Sequence, residues 1–259
     1  MSRPVPPELA GAQARFGRPD ALSFISGARE PRGTRRAAVL ILLGDREPVV
    51  EQGLPVEQES LVEQEPLVEP VEANPAFQPA RRSVGDPAPG AGYDLVLVEK
   101  RADLRSHAGQ IAFPGGGIES VDVDPVAAAL REAKEEVGVD PVTVEVLGVL
   151  PAAHIPRSGF DVTSVVGWWR EPARLAPVDV SEIAAVHQVP VARLLDPANR
   201  STWVHPGGFS GPAFVLGDLY VWGFTAYLLD GTFDLLGWTV PWDTSLTSQI
   251  PPRFLSGRL

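Results

Sequence analysis

The chain has no cysteine, which excludes disulfides and thiolate metal sites and suits a reducing compartment. Long apolar runs are also missing. AAVLILL, from Ala37 to Leu43, falls far short of the ~20 residues that span a bilayer. The opening MSRPVPPELAGAQARFG lacks the apolar centre of a secretory leader. The expectation is a cytoplasmic protein without a membrane partner. Positive charge is scarce as well, with 22 Lys and Arg against 33 Asp and Glu and a net charge of −11. No basic stripe suited to a phosphate backbone is visible, so nucleic acid is not an expected partner.

Negative charge is abundant but concentrated. Between Gly44 and Gly90 ten acidic residues face three arginines, a net −7 that leaves only −4 for the rest of the chain. The same stretch carries the imperfect hexads VEQGLP, VEQESL, VEQEPL and VEPVEA from Val50 to Ala73. Proline-interrupted repeats rich in Glu and Gln cannot bury a core, so residues 44–92 are expected to be an irregular insertion. Strand patterns flank it: RRAAVLILL is apolar and β-branched, and YDLVLVEKR alternates around Leu95 and Leu97. The insertion therefore reads as an enlarged hairpin connection inside one domain of residues 35–245. Residues 1–34 form a Pro- and Gly-rich arm, and 246–259 a tail.

Further strands are expected over 142–150 and 162–169. A short strand runs into a helical turn at Pro190, a hairpin turns at Gly217-Asp218, and a helix covers about 224–229. Mixed strands with a few helices indicate an α/β layered sandwich. Of the six tryptophans, Trp168, Trp169 and Trp222 read as core rather than as a platform for a base.

The segment REAKEEVGV (131–139) is preceded by Asp124-Pro125 and contains Gly138, which gives the helix an N-cap, a first-turn proline and a left-handed stop. Val126, Leu130, Ala133 and Val137 fall within about 60° of one another at ~100° per residue and should face the core. Glu132, Glu135 and Glu136 fall together elsewhere. Two carboxylates roughly 5.5 Å apart repel by about 3 kcal/mol at an effective dielectric near 20. A divalent cation would reverse that sign, and hard oxygen ligands of this kind fit Mg²⁺ or Mn²⁺. Upstream, Pro114-Gly115-Gly116-Gly117 allows backbone amides to approach an anion, or simply makes a tight turn.

Taken together, Gly116, Arg131, Glu132, Glu135, Glu136, Gly138 and Val139 resemble the Nudix box, the loop–helix–loop signature of hydrolases that split nucleoside diphosphates linked to another moiety. The box is one residue longer here, with eight residues between Asp122 and Arg131. LRSHAGQIAFPGG (104–116) resembles the upstream signature of the coenzyme A pyrophosphatase branch, as do SEIAAVHQVPVARLL and VWGFTAYLL further on. The resemblance implies a Nudix-type α/β/α sandwich with a mixed sheet. It also implies metal-dependent hydrolysis of CoA or a CoA derivative to 3′,5′-ADP and 4′-phosphopantetheine or its acyl form. The alternatives are another substrate (ADP-ribose, NADH or a nucleotide sugar) or a non-catalytic binding module, which would be expected to lose box glutamates. On this resemblance Glu132 and Glu136 are metal ligands, and Glu135 is a ligand or water-positioner. Arg131 orients the glutamates through ion pairs, and Glu182 is a base or further ligand from outside the box. Lys100, Arg101, Arg105 and His107, with Gly115 and Gly116, are the expected substrate contacts. The partner is a small CoA-like dinucleotide, and a homodimer is compatible with this reading.

Overall fold

The computed structural model describes residues 2–25, 29–33, 35–46, 89–156 and 158–255. The hexad repeat and most of the expected insertion, 47–88, lie outside the described residues. Around that gap the sheet is built on β1 (Arg35–Asp45), which pairs antiparallel with β2 (Tyr93–Lys100) through Leu43↔Leu95 and Asp45↔Tyr93. The Arg46 amide donates to the Gly92 carbonyl at 2.7 Å. The two strands are thus hairpin neighbours, as their patterns indicate.

Next along the chain come β3 (Ile111–Ala112), β4 (Gly115–Gly117), helix α1 (Pro125–Val137), β5 (Val144–Val149), β6 (Ala153–Ile155) and β7 (Phe160–Trp169). β8 (Ile183–Pro190) follows, then α2 (Val191–Leu195). β7 runs parallel to β1 over ten residue pairs, while β2, β3, β5 and β8 join antiparallel, so the sheet is mixed. The period-two alternation of the strands separates two cores. Leu40, Leu42, Val96, Val98 and Val165 face α1, whereas Ile41, Leu43, Leu95, Leu97 and Val166 face the opposite side. The opposite core is covered by α3 (Gly223–Leu236), with Leu228, Leu229 and Phe233 fully buried, and by the start of the chain, where Leu9, Ala12 and Phe16 are fully buried. This is an α/β/α sandwich.

Three expectations need correction. α1 has the anticipated ends: the Asp124 side chain accepts from the Ala127 amide at 2.8 Å, and Gly138 sits at φ 77°. Its buried face, however, is Ala128, Ala129, Ala133, Glu136 and Val137, with Val126 and Leu130 only half-buried. That face is rotated by roughly 65° toward Glu136, counting ~100° per residue, because the alanines let the helix approach the sheet closely. α3 runs well beyond the expected 224–229. The burial of Phe233, Leu235 and Leu236 outweighs the ~1 kcal/mol cost of Gly231 inside a helix. Third, the glycine segment, read as an anion-approaching loop or a tight turn, is a short strand paired Ala38↔Gly116 with β1.

A second, four-stranded sheet contains the expected hairpin at Gly217-Asp218 together with two strands that the sequence does not signal. β9 (Arg200–Val204), β10 (Ser210–Leu216) and β11 (Leu219–Val221) form a meander, turning at Gly217-Asp218, and β12 (Thr247–Gln249) adds parallel to β9. The segment expected as a tail therefore supplies a strand and the buried Ile250 and Phe254.

Candidate active site

One end of α1, the glycine strand and the end of β2 meet at a cluster of five carboxylates and two cations. Arg131 is its first node. Its Nε and Nη2 donate to the two oxygens of Asp122, both at 3.0 Å. Nη1 donates to Glu132 at 2.9 Å and Glu135 at 3.0 Å, and Nη2 also donates to the Gly117 carbonyl at 3.1 Å. The extra residue in the box loop thus leaves Asp122 able to grip the arginine with a fork-on-fork contact. Hydrogen bonding to Arg131 holds the Asp122 carboxyl below its ordinary range.

Lys100 is the second node. Its ammonium lies 2.6 Å from Glu136 and 3.3 Å from Glu182, and the Gly115 amide donates to the other Glu136 oxygen at 3.0 Å. Glu182 is placed at the start of β8, where its carbonyl accepts from the Arg101 amide at 2.8 Å.

The glutamates are not equivalent. Glu136 is 3% exposed, Glu132 is half-buried and the Glu135 side chain is 57% exposed. Burial pushes the Glu136 carboxyl above its usual range despite Lys100 and the Gly115 amide, and it does the same to Glu132 despite Arg131. Burial pulls Lys100 down, but Glu136 and Glu182 outweigh it and leave the amine above its ordinary value. The glutamate shifts come from burial and the lysine shift from its carboxylate neighbours; the shortage of positive charge lies in the composition of the cluster, five carboxylates against two cations. Close packing explains the glycines. A Cβ on Gly116 would lie 2.6 Å from the Glu132 carboxylate, and one on Gly115 2.4 Å from the Ala38 carbonyl oxygen. The anions beside the glycines are side chains of this chain, an arrangement that their sequence spacing alone does not disclose.

Among the described residues no three Asp, Glu or His side chains converge on one point, since Glu132 is turned to Arg131 and Glu136 to Lys100. The donor chemistry nevertheless fits a hard divalent ion, because oxygen donors predominate and positive charge is lacking. Glu132, Glu136 and Glu135 are the residues able to hold one.

The other expected contacts divide. Lys100, His107 and Gly115 line a cleft of about 350 Å³ beside the cluster. His107 has φ 58° and its Nδ1 lies 3.0 Å from Gln110 Oε1. Arg101 is not brought to this group. Neighbouring residues leaving a strand point to opposite sides, and it binds Asp103 at 2.6 and 2.8 Å beside a separate groove with Pro177 and Val180. Arg105 is exposed. Trp168 and Trp169 are buried, but Trp222 lines the cleft with Phe224 and Leu228. Sequence reasoning missed this wall; its only signal was an aromatic pair at the start of an apolar helix.

The NUDIX domain family matches residues 81–206. The proteins named "Uncharacterized Nudix hydrolase NudL" in Salmonella paratyphi B and Salmonella newport are each 40% identical over 152 residues, covering 55% of this chain and 73% of theirs. Among solved structures, the Nudix hydrolase RenU of M. smegmatis is similar over 80% of this chain and 88% of its own, with TM-score 0.45 and 17% identity.

Proposed function

This chain belongs to the Nudix hydrolases, and we propose that within that family it splits the pyrophosphate of coenzyme A or a CoA derivative. Water attacks one phosphorus and the P–O–P bridge breaks. The two products are phosphate monoesters, 3′,5′-ADP and 4′-phosphopantetheine or its acyl form, and the proton of the attacking water passes to a base. The observation that carries this reading is the charge-deficient cluster joined to the segment 104–116, whose sequence resembles the coenzyme A signature. That segment is held to the strand end by the Lys100 amide, which donates to Gln110 O at 3.0 Å, and to β1 by the Leu40 amide, which donates to Pro114 O at 2.8 Å.

A bound Mg²⁺ or Mn²⁺ would supply electrostatic stabilisation of charge developing on the diphosphate. Glu136 and Glu132 would hold it, being the most enclosed of the box glutamates. Arg131, gripped by Asp122, would set the rotamers of Glu132 and Glu135, and Lys100 that of Glu136. Glu135 and Glu182, whose side chains are more than half exposed, are the carboxylates open to water. Either would accept its proton. Lys100, His107 and Gly115 then contact the substrate from the cleft.

The test is hydrolysis of CoA, ADP-ribose, NADH and a nucleotide sugar with each metal. In ¹⁸O water the label identifies the phosphorus attacked. CoA should be the best substrate of the panel; cleavage of CoA no faster than of ADP-ribose would rule out the substrate assignment.

A further inference from the structure

The cleft beside the acidic cluster shares Lys100 and Gly115 with it. A diphosphate held at the cluster must therefore send one of its two arms into this space. We propose that the cleft walled by Trp222, Phe224 and Leu228 is the subsite for the arm that is not the nucleotide, and that this arm is an uncharged, flexible chain rather than a ring. The inference rests on the hydrolase reading above and extends it to the chemical class of the second half of the substrate.

Three observations select a chain over a sugar or a second base. The walls are mainly apolar, with Val39, Ile111, Ile155, Val162 and Leu228 beside the aromatic rings, and such walls gain by covering methylene groups. The polar side chains of the lining are a minority and are partly engaged with one another and with the backbone. Lys100 pairs with Glu136, His107 with Gln110, the Thr225 hydroxyl donates to the Ile111 carbonyl at 3.0 Å, and the Ser158 hydroxyl accepts from the Phe160 amide at 3.4 Å. A sugar, with several hydroxyls, would leave most of them against apolar wall, and a desolvated hydroxyl without a partner is costly. The Trp222 ring is also committed inside the protein. It stacks on Phe254 at 6.4 Å and meets Trp203 edge-on at 5.7 Å, so it is a braced wall rather than a free platform for a base. The size agrees as well: about 350 Å³ is at the lower end of ligand cavities, which run from roughly 300 Å³ upward.

Trp222, Phe224 and Leu228 all lie beyond residues 81–206, the part that matches the NUDIX family. The cluster belongs to the shared machinery, whereas this wall is an addition from β11 and α3, braced by Phe254 from the C-terminal segment. Specificity for the second arm would thus be supplied from outside the family-matched residues.

The experiment uses the full chain and two synthetic esters with the same nucleotide, P¹-adenosyl P²-hexyl diphosphate and its methyl counterpart, alongside ADP-ribose. The hexyl ester should exceed both others in kcat/KM by at least tenfold, with the gain in KM. Ile155→Trp, which fills the cleft at a half-buried position, should collapse the hexyl-to-methyl ratio to near one. Phe224→Ala, which widens it, should lower the ratio severalfold. Thermal melting establishes that each variant is folded. Calorimetry with the non-hydrolysable methylenebisphosphonate analogues of the two esters reads the same preference without turnover. A retained hexyl preference in binding without any cleavage would count against the hydrolase reading and for the subsite. Equal affinity for the two analogues, or a ratio that survives both variants in folded protein, would overturn the subsite.

Discussion

At the scale of single residues, Glu136 has the most constrained environment in the cluster. It is almost fully enclosed, bridged to Lys100 and touched by the Gly115 amide. A carboxylate kept in such a place incurs a desolvation cost, which burial registers as a raised carboxyl pKa. The residue is therefore better explained by what it binds than by what it stabilises. Glu136→Gln keeps the shape but removes the charge and turns one of the two accepting oxygens into a donor. It should lower kcat by about 10²-fold or more, the size seen when one preorganised electrostatic partner is lost. Far-UV circular dichroism should be unchanged, because the neutral side chain suits the buried position. Steady-state kinetics with the preferred diphosphate checks the first expectation; turnover at the wild-type rate would remove Glu136 from the mechanism.

At the scale of elements, the connection from the N-terminal residues into β1 depends on one carboxylate. Asp161 on β7 accepts from the Arg32 and Gly33 amides at 3.0 and 2.8 Å, and lies 2.7 Å from His154 Nδ1 on β6. Burial pushes its carboxyl up, but the Arg32 amide, His154 and the Gly33 amide outweigh burial and hold it below the usual range. A lowered carboxyl contributes stability that is present above the unfolded value and lost as pH falls through the folded one. Protection of the Arg32 and Gly33 amides, corrected for intrinsic exchange, should therefore disappear on acidification through that value. Asp161→Asn should raise their exchange at least tenfold at neutral pH, measured by hydrogen–deuterium exchange.

Such contacts also mark where the sequence is legible. α1 was readable because its signals are local: Asp124, Pro125 and Gly138 lie at its own ends. β1 and β7 were readable from long β-branched patterns. The Lys100–Glu136 bridge joins residues 36 apart and leaves no periodic trace. β12 is three residues whose partner, β9, lies about 45 positions earlier; too short for a pattern, it is fixed only by pairing. The direction of α1's buried face was misjudged because hydropathy favours Val126 and Leu130, whereas close approach to the sheet favours alanine. The placement of Arg131 beside Glu135, by contrast, follows from i,i+4 helix spacing, whereas its contacts with Glu132 and Asp122 do not.

At the scale of the whole molecule, the long connection between β1 and β2 begins and ends at a closed mouth. Asp45 pairs with Tyr93, and Arg3 bridges to Asp45 at 3.1 Å. Shortening a connection changes its closure entropy only slowly. Deletion of residues 50–73 should accordingly leave kcat/KM within twofold of wild type and the melting temperature within a few degrees; a larger loss of activity would assign the acidic hexads a direct part in the reaction. The central claim concerns the charge-deficient cluster itself. Titration calorimetry of Mn²⁺ into the full chain, with a non-hydrolysable bisphosphonate analogue present, tests it most directly. The account predicts saturable binding in the wild type that is abolished in a folded Glu132→Gln/Glu136→Gln variant, whereas equal affinity in that variant, or no binding in the wild type, would contradict it.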